Sequence, residues 1–352
     1  MTRLSAVALA GLLVSGLAVS AAAQSAPPIP PPRPGDGIPE PSGSLSPPDP
    51  GSVTTVPIPS APGTFTGPVL ARPGLNAPPD LAYGAFQRGY YLTAFSHALK
   101  RAEAGDTAAA TLLGLLYDQG YGVARNYREA AAWYAIAAGR GDREALYALG
   151  MMNLEGRGMP VDQAKAAEYL GRAASAGKIA AMKQLAYLYR DGAGLPRDPR
   201  RAASLFGQAA AEGDADAEYA LAQLYAAGEG VAKDESFATR WFASAARHGN
   251  VDAAVEFGIR LFNGVGVAKD ETAAGAWFEK AAEMGDTIAQ NRLARILAAG
   301  RGRQADPVAA AKWHFLARGA GLDDAYLDEF VSSLTEEQRS AAAAAAQRWP
   351  AG

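Results

Sequence analysis

From Asp80 onward, apolar and small residues recur with a period of 36. Alanine stands at 109, 145, 181, 217, 253 and 289, and four residues later come Leu113, Leu149, Leu185, Leu221, Phe257 and Leu293. A spacing of four puts each pair on one face of a helix. The next position is small in every unit (Gly114, Gly150, Ala186, Ala222, Gly258, Ala294), which lets a neighbouring helix approach closely. A second helix is predicted to open at Asn126, Asp162, Asp198, Asp234, Asp270 and Asp306, whose side chains can accept from unpaired first-turn amides. Pro199 and Pro307 follow two of these caps, where a missing N–H costs nothing. This helix carries Ala130, Ala166, Ala202, Ala238, Ala274 and Ala310, then Trp133, Tyr169, Leu205, Trp241, Trp277 and Trp313, then alanine at 137, 173, 209, 245, 281 and 317. Steps of three and four make one stripe, predicted to be buried.

Glycine punctuates the same period. It closes a unit at 105, 141, 177, 213, 249, 285 and 321, and a Gly-x-Gly pair begins at 120, 156, 192, 228, 264 and 300. Such pairs suit positive-φ turns. A phosphate cradle is the weaker reading, because no strand precedes them and no Gly-Lys-Ser/Thr follows. Each unit is therefore a helical hairpin too small to bury its own apolar faces, and neighbours must stack. The predicted fold is all-α, an α-solenoid of stacked hairpins with a 36-residue repeat. Six units span 106–321. Residues 80–105 keep Ala94 and Gly105 but lack the loop, as a shortened capping hairpin would. Residues 322–352 are predicted to cap the other end. They start in register with Ala325 in the alanine column, and Thr335 with Gln338 opens a last helix that ends at Trp349.

The remaining residues have a different composition. Arg3, the apolar stretch from Leu4 to Ser20 and Ala21 to Ala23 read as a secretory signal over 1–23, with a mature start near Gln24. Gly11, Ser15, Gly16 and Ser20 dilute the run and disfavour a retained membrane anchor. Of 23 prolines, 18 lie between Pro27 and Pro79, so 24–79 is expected to be a disordered tether rather than part of a core. Export follows from the signal, and the expected location is periplasmic or secreted.

Charge and composition remove several classes of function. The 33 basic and 36 acidic residues of the 352 give a net charge of -3, so no basic stripe is available for nucleic acid. With no cysteine there is no disulfide, thiolate metal site or cysteine nucleophile. The histidines, His97, His248 and His314, lack metal-ligand spacing. His97 and His314 are expected to be partly packed and His248 to lie in an exposed turn. The loop aspartates each belong to a separate unit and serve better as caps than as paired acid and base. Ser175 and Lys178 match a Ser-x-x-Lys motif without its companion elements. No cofactor, metal or enzymatic activity is expected.

The pattern Ala-x-x-x-Leu-Gly-x-x-Tyr, then Gly-x-Gly-Val-x-x-Asp-x-x-x-Ala-x-x-Trp and Ala-Ala-x-x-Gly, resembles the Sel-one-like repeat family, relatives of tetratricopeptide repeats. Ala109 to Gly141 and Ala217 to Gly249 carry it most fully. Asn153, Leu261 and Leu297 replace the motif Tyr, Arg303 the loop Val and Arg318 the second Ala. Cysteine-rich relatives have been linked to β-lactam binding, and this chain departs from them. The resemblance implies adaptors and regulators, the exported bacterial members binding envelope proteins, and it implies that the first helix of each hairpin lines an inner groove.

On that implication the inner positions vary from unit to unit while the frame columns do not. The candidate partner-binding residues are Tyr147, Met151, Lys183, Tyr187, Arg190, Tyr219, Gln223, Ile259, Phe262 and Arg295. Aromatic and arginine side chains are common interface anchors. The tyrosines are expected to give apolar contact, and Lys183 and Arg190 to pair with carboxylates of the partner. The functional expectation is a non-enzymatic envelope adaptor that holds a protein or peptide, with no nucleic acid and no membrane span in the mature form. The competing class binds or hydrolyses cell-wall glycan, and peptidoglycan proximity belongs to either.

Overall fold

The computed structural model describes residues 80–349; the signal and linker readings fall outside them. Sixteen helices and no strands are present among the described residues. A short α1 (Leu81–Gln87) and α2 (Tyr91–Glu103) precede six hairpins of two 13-residue helices each. The hairpins are α3 (Thr107–Gln119) with α4 (Tyr127–Gly139), α5 (Arg143–Glu155) with α6 (Gln163–Ser175), and α7 (Ile179–Asp191) with α8 (Pro199–Ala211). They continue with α9 (Ala215–Ala227) and α10 (Glu235–Arg247), α11 (Val251–Asn263) and α12 (Glu271–Glu283), and α13 (Thr287–Ala299) and α14 (Pro307–Gly319). The chain closes with α15 (Ala325–Ser333) and α16 (Glu336–Gln347). From α1 to α15 each helix packs on its sequence neighbours, and α16 returns past α15 to pack on α14. This is an α-solenoid.

Local chemistry sets every boundary. Asn126 and the five loop aspartates each accept a hydrogen bond from a first-turn amide of the second helix. First helices are capped likewise by Asp106, Asp142, Asp214, Asn250 and Asp286. Unit three has Lys178 at this place and makes no side-chain cap. Its ammonium instead crosses to Glu144 of the preceding unit, 2.5 Å away.

The two glycines of the loop do different work, as Gly228 and Gly230 show. Gly228 ends α9 in the left-handed region, where its N–H donates to the Leu224 carbonyl. Gly230, at φ 74°, lies against the start of α8 in the preceding unit: a Cβ there would sit 2.2 Å from the Pro199 carbonyl oxygen. One glycine turns the chain and the other lets two units touch.

The core differs from the sequence expectation in one column. The alanine columns and the Leu/Phe column are buried throughout. Of the large residues expected to fill the second helix, only Trp241 and Trp313 are buried, while Trp133, Tyr169, Leu205 and Trp277 keep an exposed edge. The fully packed residue is one position on: Tyr134, Leu170, Phe206, Phe242, Phe278 and His314. These side chains explain the small-residue column. A Cβ on Gly114 would lie 2.6 Å from the Tyr134 ring, one on Gly150 2.7 Å from Leu170, and one on Gly258 2.7 Å from Phe278. His314 is thus wholly buried rather than partly packed, and its Nε2 lies 2.8 Å from Asp328 Oδ1. His248 is exposed as expected, with Nδ1 2.8 Å from the buried Glu218.

At the C-terminal end the repeat register breaks earlier than the alanine pattern suggested. Asp324 caps α15, Ala325 is exposed, and Leu327 is the buried residue, because the helix begins two positions late. The Thr335–Gln338 capping box opens α16, and Trp349 packs edge-on against Trp313 at 4.9 Å between ring centroids.

Two substitution pairs test this packing by urea denaturation. Phe206→Ala should destabilise by about 3–5 kcal/mol through an unfilled cavity, and Leu205→Ala, its part-exposed neighbour, by less than about half as much. Gly230→Ala should cost more than Gly228→Ala, which meets the roughly 1–2 kcal/mol penalty of a left-handed non-glycine residue and a 3.0 Å approach to the Lys233 side chain but no backbone clash as close as that at Gly230. An equal loss would show that the inter-unit approach at Gly230 is not tight.

Candidate partner-binding face

The first helices carry the variable positions and approach one another between units, α3 against α5 and α13 against α15, which places them on the inner side of the stack. All ten candidate residues are half-buried or exposed, whereas the alanine and leucine columns on the same helices are sealed. Several other inner positions, Thr111, Leu115, Asp118, Val255 and Asn291, are buried and form floor rather than surface. The ten do not make one continuous groove. They fall into two clefts separated by a self-paired middle.

The N-terminal cleft, about 670 Å³, lies between α3, α5 and the start of α7. Leu115, Tyr147 and Met151 give it apolar walls, and Asp118, Arg157, Glu144 and Lys178 give it charge. Arg157 spans Asp118 at 2.5 Å and Glu155 at 2.6 Å, and the Lys178 ammonium stands 5.4 Å from the centre of the Tyr147 ring. The floor is Tyr134, reaching through from α4. Only 4% of this residue is exposed, and Asp118 and Arg157 stand near enough to act on its phenol. Burial pushes its phenol far above the ordinary range, so it stays a proton donor.

The C-terminal cleft, about 330 Å³, is lined by Ile259, Phe262, Phe278, Ile296, Arg292, Arg295, Arg301 and Tyr326 among others. Arg295 donates to Asp324 through Nε at 2.6 Å and Nη2 at 2.8 Å and lies over Tyr326. Arg301 pairs with Glu271 and lies 4.3 Å from the Phe262 ring centre. Burial alone would raise the Asp324 carboxyl, but hydrogen bonds from Arg295, Asn291 and the Leu327 amide outweigh it and hold the group at about 2.

Between the clefts the expected partner contacts are already made within the chain. Lys183 pairs with Asp214 at 3.0 Å and Asp216 at 2.8 Å, and these carboxylates raise its ammonium against the opposing effect of burial. Arg190 pairs with Asp191 and covers the Tyr187 ring. Tyr187 meets Phe206 edge-on, Tyr219 meets Phe242 in the same way, and Gln223 bonds to Tyr219. Lys183 and Arg190, expected to pair with carboxylates of a partner, pair within the chain, Lys183 with Asp214 at the cap of α9 and Asp216 in its first turn, and Arg190 with its neighbour Asp191. Ser175 and Lys178 also separate, Ser175 opening onto a different concavity and Lys178 holding Glu144.

Five residues were missed from sequence. Arg157 and Arg301 occupy the middle of Gly-x-Gly, which changes in every unit (Tyr121, Arg157, Ala193, Glu229, Val265, Arg301), and that variation was the available signal. Tyr134 is the one frame residue of its column with a phenol. Arg292 and Tyr326 carried no signal, since one is an ordinary exposed helix position and the other lies beyond the repeats.

This arrangement defines a class: a helical-repeat scaffold with a packed frame and a variable inner face. The Sel1 repeat profile matches residues 107–142, 143–178, 179–214, 215–250, 251–286 and 287–321, and the chain belongs to that family. Among solved structures it is similar to a protective antigen present in uropathogenic Escherichia coli strains and displaying an SLR fold. The TM-score is 0.69 and the identity 28%, covering 76% of this chain and 61% of the antigen, so the chain spans about three fifths of that relative. It is also similar to a Sel1 repeat protein from Oxalobacter formigenes, with a TM-score of 0.60, 25% identity, and coverage of 69% of this chain and 97% of that one. No curated protein matches the sequence at significance. Sel1-repeat proteins are scaffolds that generally act through protein–protein interaction. No helix among the described residues is long and apolar enough to cross a membrane.

The Asp324 network predicts an acid-sensitive C-terminal cap. Its folded carboxyl value lies below the ordinary 3.8, so its stabilisation is complete above about pH 4 and is lost as pH falls through about 2. Arg295→Gln should raise the Asp324 value measured by NMR titration and remove on the order of 2 kcal/mol at neutral pH. An unchanged titration would show that Arg295 does not hold the carboxylate.

Proposed function

We propose that the protein is a non-enzymatic interaction scaffold of the bacterial cell envelope that holds a partner protein on the inner face of its solenoid. The observation that carries this reading is the N-terminal cleft. It sets the apolar walls of Leu115, Tyr147 and Met151 beside the charged groups of Asp118, Arg157, Glu144 and Lys178, over a floor of Tyr134. A concave site that joins apolar walls to a few fixed polar groups is the usual form of a binding site, and a protein segment offers both apolar side chains and polar backbone to it. Conserving such a frame while varying its inner residues is how repeat arrays build recognition surfaces.

Export to the periplasm or outside the cell is part of the proposal and rests on residues 1–23. The similarity to a protective antigen is in keeping with it. The partner is a protein or peptide, and its process is signalling or wall assembly in the envelope.

A crosslinking pull-down from envelope extract tests the scaffold reading. Wild type is compared with a Tyr147→Ala/Met151→Ala variant whose folding is verified by circular dichroism. A protein captured by wild type and lost from the variant supports the inner face as the binding surface. Equal capture by both places binding elsewhere on the molecule, and recovery of wall sacculi without protein would replace the scaffold reading with a glycan-binding one.

A further inference from the structure

We infer that the C-terminal cleft, between α11, α13 and α15, receives an internal acidic and apolar segment of the partner protein. The segment sets one large aliphatic or aromatic side chain against Ile259, Phe262 and Ile296, and an Asp or Glu within two residues of it meets Arg292. The inference rests on the scaffold reading and names the chemistry of one of its subsites.

Charge is the first argument. Three guanidinium groups line this cleft and no carboxylate does. Two of them are held as fixed walls, Arg295 by Asp324 over Tyr326 and Arg301 by Glu271 over Phe262. Arg292 is exposed and has no acidic partner, hydrogen bond or ring beneath it among the described residues. One cation at the rim of an apolar hole is complementary to one carboxylate beside one apolar side chain. A basic segment is repelled, and a purely apolar one leaves the guanidinium unanswered. Nucleic acid would need several free cations, and the neighbouring rim instead carries Asp323, whose side chain is 85% exposed.

Geometry favours an internal segment over a chain terminus. A terminal and a side-chain carboxylate offer the same acceptor sites, so the distinction lies in where the backbone goes from the single unpaired guanidinium of Arg292. A side-chain carboxylate can reach an exposed guanidinium while its backbone continues along the inner face in both directions. The N-terminal cleft supplies the contrast: Asp118, Glu144 and Glu155 stand there against Arg143, Arg157 and Lys178, so it has no surplus cation to select an acid.

Random peptides displayed on phage provide the probe, in one library flanked on both sides and in another with free C-termini, selected against the purified full chain. The flanked library should enrich Asp or Glu within two residues of Leu, Ile, Phe or Trp. Enrichment should persist with Tyr147→Ala and vanish with Phe262→Ala. The surface change Arg292→Gln should weaken a synthesised consensus peptide by about tenfold or more, the size of one charge-assisted hydrogen bond. Replacing the peptide's acid by its amide should cost wild type as much and the Arg292→Gln variant nothing further. A consensus without an acid, enrichment confined to free C-termini, or indifference to Arg292→Gln overturns the inference. If the selected peptides instead depend on Tyr147, the inference falls and the scaffold reading stands. If neither library enriches anything, both fall.

Discussion

The structure depends on one recurrent contact, the insertion of a second-helix side chain into the gap left by a missing or minimal side chain on the first helix. Tyr134 over Gly114, Leu170 over Gly150 and Phe278 over Gly258 are the clearest cases. Each fully buried side chain of that size contributes roughly 1.5–3 kcal/mol, and the contact sets the distance between the two helices of a hairpin. The glycine loop does the same between hairpins, because Gly230 lets the chain pass against Pro199 of the unit before. Once both separations are fixed, the inner residues of the first helices do not set the spacing of the frame and can differ from unit to unit.

The architecture was legible because it repeats. Six copies of the alanine and glycine columns, with five leucines and Phe257 in one column and five aspartates and Asn126 in another, make the period and the caps visible, and these follow from local chemistry that a sequence displays directly. Which of two adjacent large residues is sealed was not legible: Leu205 and Phe206 are both apolar, and only the packing of α8 on α7 and α9 decides. The ten candidate residues lie on first helices, yet their partners within the chain are not visible in a sequence. Lys183 looks like a free cation until Asp214 and Asp216 are brought beside it. The end of the array was misjudged for a similar reason, since Ala325 fits the column by position while Asp324 supplies the stronger cap.

Binding chemistry gathers where two units, or a unit and the cap, meet imperfectly. At the N-terminal cleft Tyr134 fills a place that phenylalanine or leucine occupies in most other units and forms part of the lining. The C-terminal cleft exists because α15 starts late and swings Tyr326 and Asp324 against α13. In both, arginines from the Gly-x-Gly loops supply a wall, so the turn that ends each first helix also shapes the surface beside it.

Lys178 gives the array a direction. Every other first helix in the repeats is closed by its own aspartate or asparagine, whereas α7 borrows its stabilising contact from Glu144 one unit earlier. In the nearest-neighbour description of repeat proteins, unit three has a weakened intrinsic term and a strengthened interface with unit two. Ordering therefore propagates across this junction from the N-terminal side, and a fragment beginning at α7 lacks both a cap and the carboxylate that replaces it. Conversely, loss of unit three leaves the buried Glu144 with only the more distant Arg143, 3.5 Å away, so unit two is held in part by the unit that follows it.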